Sequence, residues 1–200
     1  MSSELAIDPE PRRAGRPRSA AARDAALKAA AALLAEGGLA KLTMDGIAAR
    51  AGIGKRTIYR WWPTKGAVAV EAFLADLSPR VEFNNTASAA ADIRNQLLTV
   101  GVVYRGTAGR TVREMVALGQ TDAAMLATFL ANYIEPRRRL VEAVLKRGIA
   151  NGEFRPTLDF SVVVDSLYGP LFFRLLVTGA PLDDAFVGGH ADIILRGLAP

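Results

Sequence analysis

Five side chains in a run of six, Lys55, Arg56, Thr57, Tyr59 and Arg60, carry the clearest chemistry in this chain. Lysine neutralises phosphate charge, and arginine can pair with the acceptor edge of guanine. Thr and Tyr hydroxyls reach phosphate oxygens, and a threonine methyl can lie against a thymine methyl. The exception in the run is Ile58. It lies four residues before Trp62, so on a helix the two share one apolar face and the polar five crowd the rest. A short helix of this kind suits the major groove of DNA. Other chemistries have little to work with. The chain has no cysteine and a single histidine, His190, read as a surface or interface residue. No nucleophile–base pair, phosphate-binding glycine loop or metal-ligand cluster is evident. The expectation is a non-enzyme without cofactor or metal.

The neighbouring residues predict how that helix is held. Thr43 stands where an N-cap belongs, its hydroxyl placed to accept an orphan backbone N–H. Met44, Ile47, Ala48 and Ala51 follow at helical spacing. Gly52 ends this helix, and Ile53 plugs the corner. Gly54 opens the second helix, Lys55 to about Trp62, which Pro63 stops. Two helices joined at a glycine turn, the second polar outward, form a helix-turn-helix. Upstream, Ser19 to Glu36 reads as a bracing helix with Leu27, Ala30, Ala31 and Leu34 on one face, ended by Gly37-Gly38. Leu39 and Leu42 then close a small core against Ile47, Ile58 and Trp62. Thr64 caps a fourth helix with Lys65 in its first turn, where free N–H groups and the helix dipole favour phosphate. Trp61 can donate its indole N–H to phosphate as well.

This stretch resembles the DNA-binding signature of the TetR (tetracycline-repressor) family. Thr43, Ile47, Ala48, Ala51, Gly52, Thr57, Ile58, Tyr59, Trp62 and Lys65 carry the match at that family's spacing, and it covers roughly residues 19–77. Two positions depart from the pattern. Gly54 replaces the usual serine N-cap, a small loss, and Trp61 stands where histidine or arginine is common. The resemblance implies DNA contacts from Thr43 and the second helix, a phosphate clamp at Lys65, and a fourth helix joining a DNA-binding head to a helical body.

Charge is distributed accordingly. Residues 1–66 hold 12 Lys/Arg against 6 Asp/Glu, a balance of +6, whereas residues 67–200 hold 13 against 14, a balance of −1. Excess positive charge therefore sits with the helix-turn-helix. Residues 1–18 read as a flexible basic arm. Arg16 and Arg18 in Gly15-Arg16-Pro17-Arg18 fit either a narrow A·T-rich minor groove or nonspecific phosphate attraction. No signal peptide and no apolar run of membrane-spanning length is read, which leads to the expectation of a cytoplasmic, nucleoid-associated protein without a membrane partner.

The predicted fold is all-α, about nine helices, with residues 19–66 as the helix-turn-helix domain and 67–200 as a helical effector-binding and dimerisation domain. Runs such as Gly-Pro-Leu-Phe-Phe-Arg-Leu-Leu and Ala-Pro-Leu-Asp-Asp resemble one TetR C-terminal subgroup. Pro136 should kink a long helix or begin a new one, and Arg137, Arg138 and Arg139 after it read as a solvated face pairing with Glu135 and Glu142. The last two helices are apolar on more than one side, which predicts a homodimer interface through Val163, Leu167, Leu171, Leu175, Phe186, Ile193 and Ile194, with Gly169, Gly188 and Gly189 allowing close approach. An apolar effector pocket is expected from Tyr104, Met115, Met125, Phe129, Tyr133, Tyr168 and Phe172. The resulting expectation is a dimeric, sequence-specific DNA-binding regulator, by family habit a repressor, released from a pseudo-palindromic operator by a small apolar effector. A nonspecific architectural DNA binder without an effector is the alternative.

Overall fold

A computed structural model describes residues 16–200 of the chain, with side chains described from residue 20. Among these residues there are helices and no strands. In chain order they are α1 (Arg16–Lys41), α2 (Met44–Ala51), α3 (Lys55–Trp61), α4 (Lys65–Leu77), α5 (Ala89–Tyr104), α6 (Thr107–Gly119), α7 (Ala123–Phe129), α8 (Glu135–Ala150), α9 (Phe160–Phe173) and α10 (Asp184–Leu198). A π turn, Leu130–Ile134, joins α7 to α8 into one continuous helix, giving nine helical rods.

The caps fall where side-chain oxygens can take orphan N–H groups. The Thr43 hydroxyl accepts from Gly46, Thr64 from Ala67, Ser88 from Ala91, Asp122 from Met125, Asp159 from Val162 and Asp183 from Phe186. At the first helix the sequence reading needs correction. It already includes Arg16, the first described residue, and so is not confined to Ser19 onward; the alanines after Arg18 favour helix. The break at Gly37-Gly38 is where expected, but its reason is larger than a cap. Gly38 has φ 66° and ψ −159°, a region essentially reserved for glycine, and a Cβ there would lie 2.3 Å from the Glu114 carboxylate. The corner therefore admits a side chain from the body.

Helices α1 to α3 build a head around Leu42, Ile47 and Ile58, all fully buried, with Trp62 nearly so. Apolar burial of this kind drives the packing. Helix α4 runs from the head into the body and packs on α1, α6 and α7. The body pairs α5 with α10 and α8, and lays α9 across α8 and α10. Pro136 neither breaks the long helix nor ends it: the π turn before it absorbs the missing N–H, with Glu135 N–H bonding back to the Leu130 carbonyl.

No apolar run is uninterrupted over a membrane-spanning length, yet one interrupted stretch is apolar on average. Phe160–Thr178 is 19 residues with mean hydropathy 1.5, long and apolar enough to cross a membrane by length and composition. Short-range interruption hid this: Asp165, Pro170 and Arg174 break the run in sequence without lowering its mean hydropathy enough. In the fold this helix packs into the body, with Leu167 and Leu171 fully buried.

Candidate nucleic-acid interface and effector cavity

On helix α3, Ile58 is fully buried, and Lys55, Arg56, Tyr59 and Arg60 are exposed, Tyr59 by 46%. Thr57 is half-buried. The anchor for this helix lies at its C-terminal end. Trp62 Nε1–H donates to Glu71 Oε2 on α4 (2.6 Å), Arg23 of α1 bridges the other Glu71 oxygen (2.5 Å), and the Arg23 guanidinium sits 5.0 Å from the Trp62 ring centroid. One carboxylate thus ties α1, α3 and α4 together. Trp61 packs edge-on against Trp62 and carries the Arg60 guanidinium over its ring.

The cations of the face are not equivalent. Lys55 Nζ pairs with Asp45 Oδ1 across the turn (2.6 Å), which raises the lysine pKa through the hydrogen bond and then the charge of Asp45. Arg56 forms no ion pair among the described residues. Lys65 Nζ donates to the Leu39 carbonyl (2.9 Å), so it closes the end of α1 while staying exposed at the start of α4. The Thr43 hydroxyl spends its acceptor on the Gly46 N–H and keeps its proton to donate. The side chains of Arg16 and Arg18, and all of residues 1–15, lie outside the described residues.

In the body, a cavity of about 230 Å³ opens between α5, the α7–α8 rod and α9. Of the seven residues predicted for it, Tyr104, Tyr133, Tyr168 and Phe172 line it. Met115, Met125 and Phe129 do not; they are buried in plain core. Size and apolarity select such residues for core and pocket alike, so sequence had no means of separating them. Conversely, the cavity includes polar groups that went unread: Gln96, which accepts from the Tyr168 hydroxyl (2.6 Å), and Arg137 and Arg138. The arginine triplet is therefore not a uniform solvated face. Arg138 pairs with Asp165 of α9, not with Glu135 or Glu142, and also donates to Ser161. The Arg137 guanidinium lies 4.2 Å over the Tyr133 ring. Burial raises the pKa of Tyr104, Tyr133 and Tyr168, so all three hydroxyls stay protonated.

Six of the seven residues predicted for a dimer face are buried or half-buried in the single chain. Val163, Leu167, Leu171 and Leu175 are buried within the chain's own body. Phe186 packs under the Arg174 guanidinium at 3.3 Å and beside His190, whose Nε2 meets the Leu167 carbonyl at 3.0 Å; Ile194 is half-buried. Exposed instead are Val162 and Phe173 on α9, Leu176 and Val177 in the π turn Arg174–Thr178 that continues it, and Ile193 on α10, which was predicted. A helix apolar all round gives no phase from sequence. Gly169 and Gly189 face open space, whereas Gly188 is covered by Arg94.

A helical head with an outward basic reading helix, coupled through one long helix to a body with a cavity, defines a helix-turn-helix DNA-binding regulator. Comparison with known proteins sharpens this. The family description "Bacterial regulatory proteins, tetR family" matches residues 26–72, and "Tetracyclin repressor-like, C-terminal domain" matches residues 83–194. The chain belongs to the TetR family of transcriptional regulators. It is 36% identical over 173 residues to the uncharacterised HTH-type transcriptional regulator YdeS of Bacillus subtilis (strain 168), covering 86% of this chain and 87% of that one. It is 29% identical over 178 residues to the DNA-binding transcriptional repressor TetR of Mycobacteroides abscessus, covering 86% and 92%. A crystal structure of a TetR family transcription regulator superposes with a TM-score of 0.81 at 34% identity, covering 90% of this chain and 99% of the other.

Proposed function

We propose that this regulator is a repressor that binds a pseudo-palindromic operator as a homodimer and lets go when a small molecule fills the body cavity. The observation that carries the reading is the α3 face: Lys55, Arg56, Tyr59 and Arg60 outward, over a fully buried Ile58. One such helix reads too few base pairs for useful specificity, and a two-fold pair would reach successive major grooves. Residues 19–66 act as the reading head and residues 67–200 as the effector-binding and dimerising body. The exposed apolar row of α9 with Ile193 of α10 serves as the pairing face, in a four-helix arrangement with its mate. Thr43, Lys65 and Trp61 hold phosphates beside the groove, Arg16 and Arg18 extend the contact, and the site of action is the cytoplasm.

Release has a short path. Phe73 of α4 packs edge-on against Tyr133 at 5.4 Å, and Tyr133 lines the cavity. A ligand that moves the Tyr133 ring moves the helix carrying Thr64 and Lys65. Helix α6 supplies a second grip on the head: Glu114 accepts the Leu39 N–H (2.5 Å), and Arg110 donates to the Ala35 carbonyl (2.8 Å). A ligand shifts the balance only if it discriminates between DNA-competent and released arrangements. The test compares binding to the gene's own upstream DNA with binding to random DNA at physiological salt. A preference of about 10³ or more is expected; equal affinity would instead leave a nonspecific DNA binder.

A further inference from the structure

The cavity carries a charge that an apolar effector would leave unanswered. Its lining includes two arginines and one aspartate. Arg138 and Asp165 pair with each other and cancel, while Arg137 forms no ion pair among the described residues. The three tyrosines are neutral donors. The Tyr168 O–H already donates to Gln96, and Tyr104 and Tyr133 bond hydroxyl to hydroxyl, which uses one O–H and leaves the other free to donate. Among the described residues the cavity therefore holds one unpaired cation, stacked on the Tyr133 ring, and one spare O–H from the Tyr104–Tyr133 pair, beside walls formed by Val100 and Phe172.

We infer that the cavity's ligand is an amphiphilic monoanion, a carboxylate on a compact apolar body, with the carboxylate taken by the Arg137 guanidinium. This deepens the proposed effector site and rests on that reading. A planar guanidinium matches a carboxylate with two parallel N–H···O bonds. Leaving a half-buried Arg137 facing a neutral apolar ligand would cost the ion part of its solvation, which the Tyr133 ring offsets less fully than a carboxylate would. Size narrows the class further. An apolar cavity of about 150 Å³ accommodates benzene, so 230 Å³ suits two fused rings or a ring with a short chain. Arg137 stacks on Tyr133, whose ring bears on Phe73 of α4, so the anion would be bound at the start of the route to the head.

The test uses 2-naphthoate and its uncharged amide, 2-naphthamide, with the full-length protein and isothermal titration calorimetry. Wild type is expected to bind the carboxylate about ten-fold or more tightly than the amide. Arg137→Met should abolish that preference by weakening the carboxylate alone, and Arg137→Lys, which keeps the charge, should restore part of it. Amide binding in Arg137→Met reports that the cavity is still folded. Equal binding of the pair by wild type, a carboxylate preference surviving in Arg137→Met, or no binding of either probe up to millimolar concentration each overturn the inference. Carboxylate binding that leaves DNA affinity unchanged would sustain the ligand class and refute effector-driven release, which keeps the two readings separable.

Discussion

Removing the Glu114 carboxylate should loosen the head from the body by a predictable amount. Glu114 Oε2 takes the Leu39 N–H at 2.5 Å, and Leu39 is buried, 7% exposed. A hydrogen bond to a charged acceptor contributes about 1.5–3 kcal/mol, and its loss leaves a buried donor unpaired. Glu114→Ala should therefore cost about 2 kcal/mol. In a chain of this size each kcal/mol lowers Tm by about 2–4 °C, so the fall should be about 4–8 °C. Glu114→Gln keeps an acceptor without the charge and should lose about half as much. The exposed neighbour Arg113 makes no hydrogen bond or ion pair among the described residues, and Arg113→Ala should stay within about 0.5 kcal/mol of wild type. Differential scanning calorimetry of the three variants reads this directly. If Glu114→Ala melted with wild type, the Glu114 contact would carry no energy, and the coupling route through it would have to be abandoned.

Further consequences follow from the other ion pairs and faces. Arg56→Ala should weaken DNA binding and reduce the slope of log K against log[salt] by about 0.9 per subunit, whereas Asp45→Asn, which frees Lys55, should tighten binding to all sequences; filter binding from low to high salt checks both. Lys65→Ala should weaken all sequences alike, and a changed sequence preference would refute its phosphate role. Phe173→Asp on the exposed row of α9 should turn the proposed dimer into monomers by equilibrium sedimentation, and a wild-type monomer at micromolar concentration would refute the pairing face. Glu153 has a pH signature. Burial pushes its carboxyl up, but N–H groups of Ala89 and Ala90 and the Ser88 hydroxyl outweigh this and hold it at about 2 against an ordinary 4.5. A depressed folded pKa stabilises above about pH 4.5 and is lost as pH falls toward 2, so Glu153→Gln should lower Tm at pH 6 and flatten the acid limb in that window.

The head was legible in sequence because its signals are local. Thr43, Gly52, Thr64 and Pro63 specify ends by chemistry that acts within a few residues, and Ile58 with Trp62 fixes the phase of α3. Helix count and capping in the body were readable for the same reason. What failed was phase on α9, where apolar residues surround the axis and Val163 cannot be told from Val162 until the neighbours are in place. Long-range polar contacts were invisible too. Glu114 to Leu39, Arg138 to Asp165 and Glu71 to Trp62 and Arg23 join residues that no spacing rule pairs. Arg137 sat inside a charged triplet, a pattern that usually marks a solvated surface, and only the fold turns it toward a cavity.

Operator recognition depends on the outer surface of α3 meeting base edges in the major groove. Chemical footprinting of guanine N7 on the upstream DNA, with wild type and with Arg56→Ala and Tyr59→Ala, measures that contact. Protection is expected in two major-groove patches on one face of the duplex, about 10 base pairs or a multiple apart, and it should weaken within the patches in both variants. No protection of guanine N7, or a wild-type pattern kept by both variants, would contradict it.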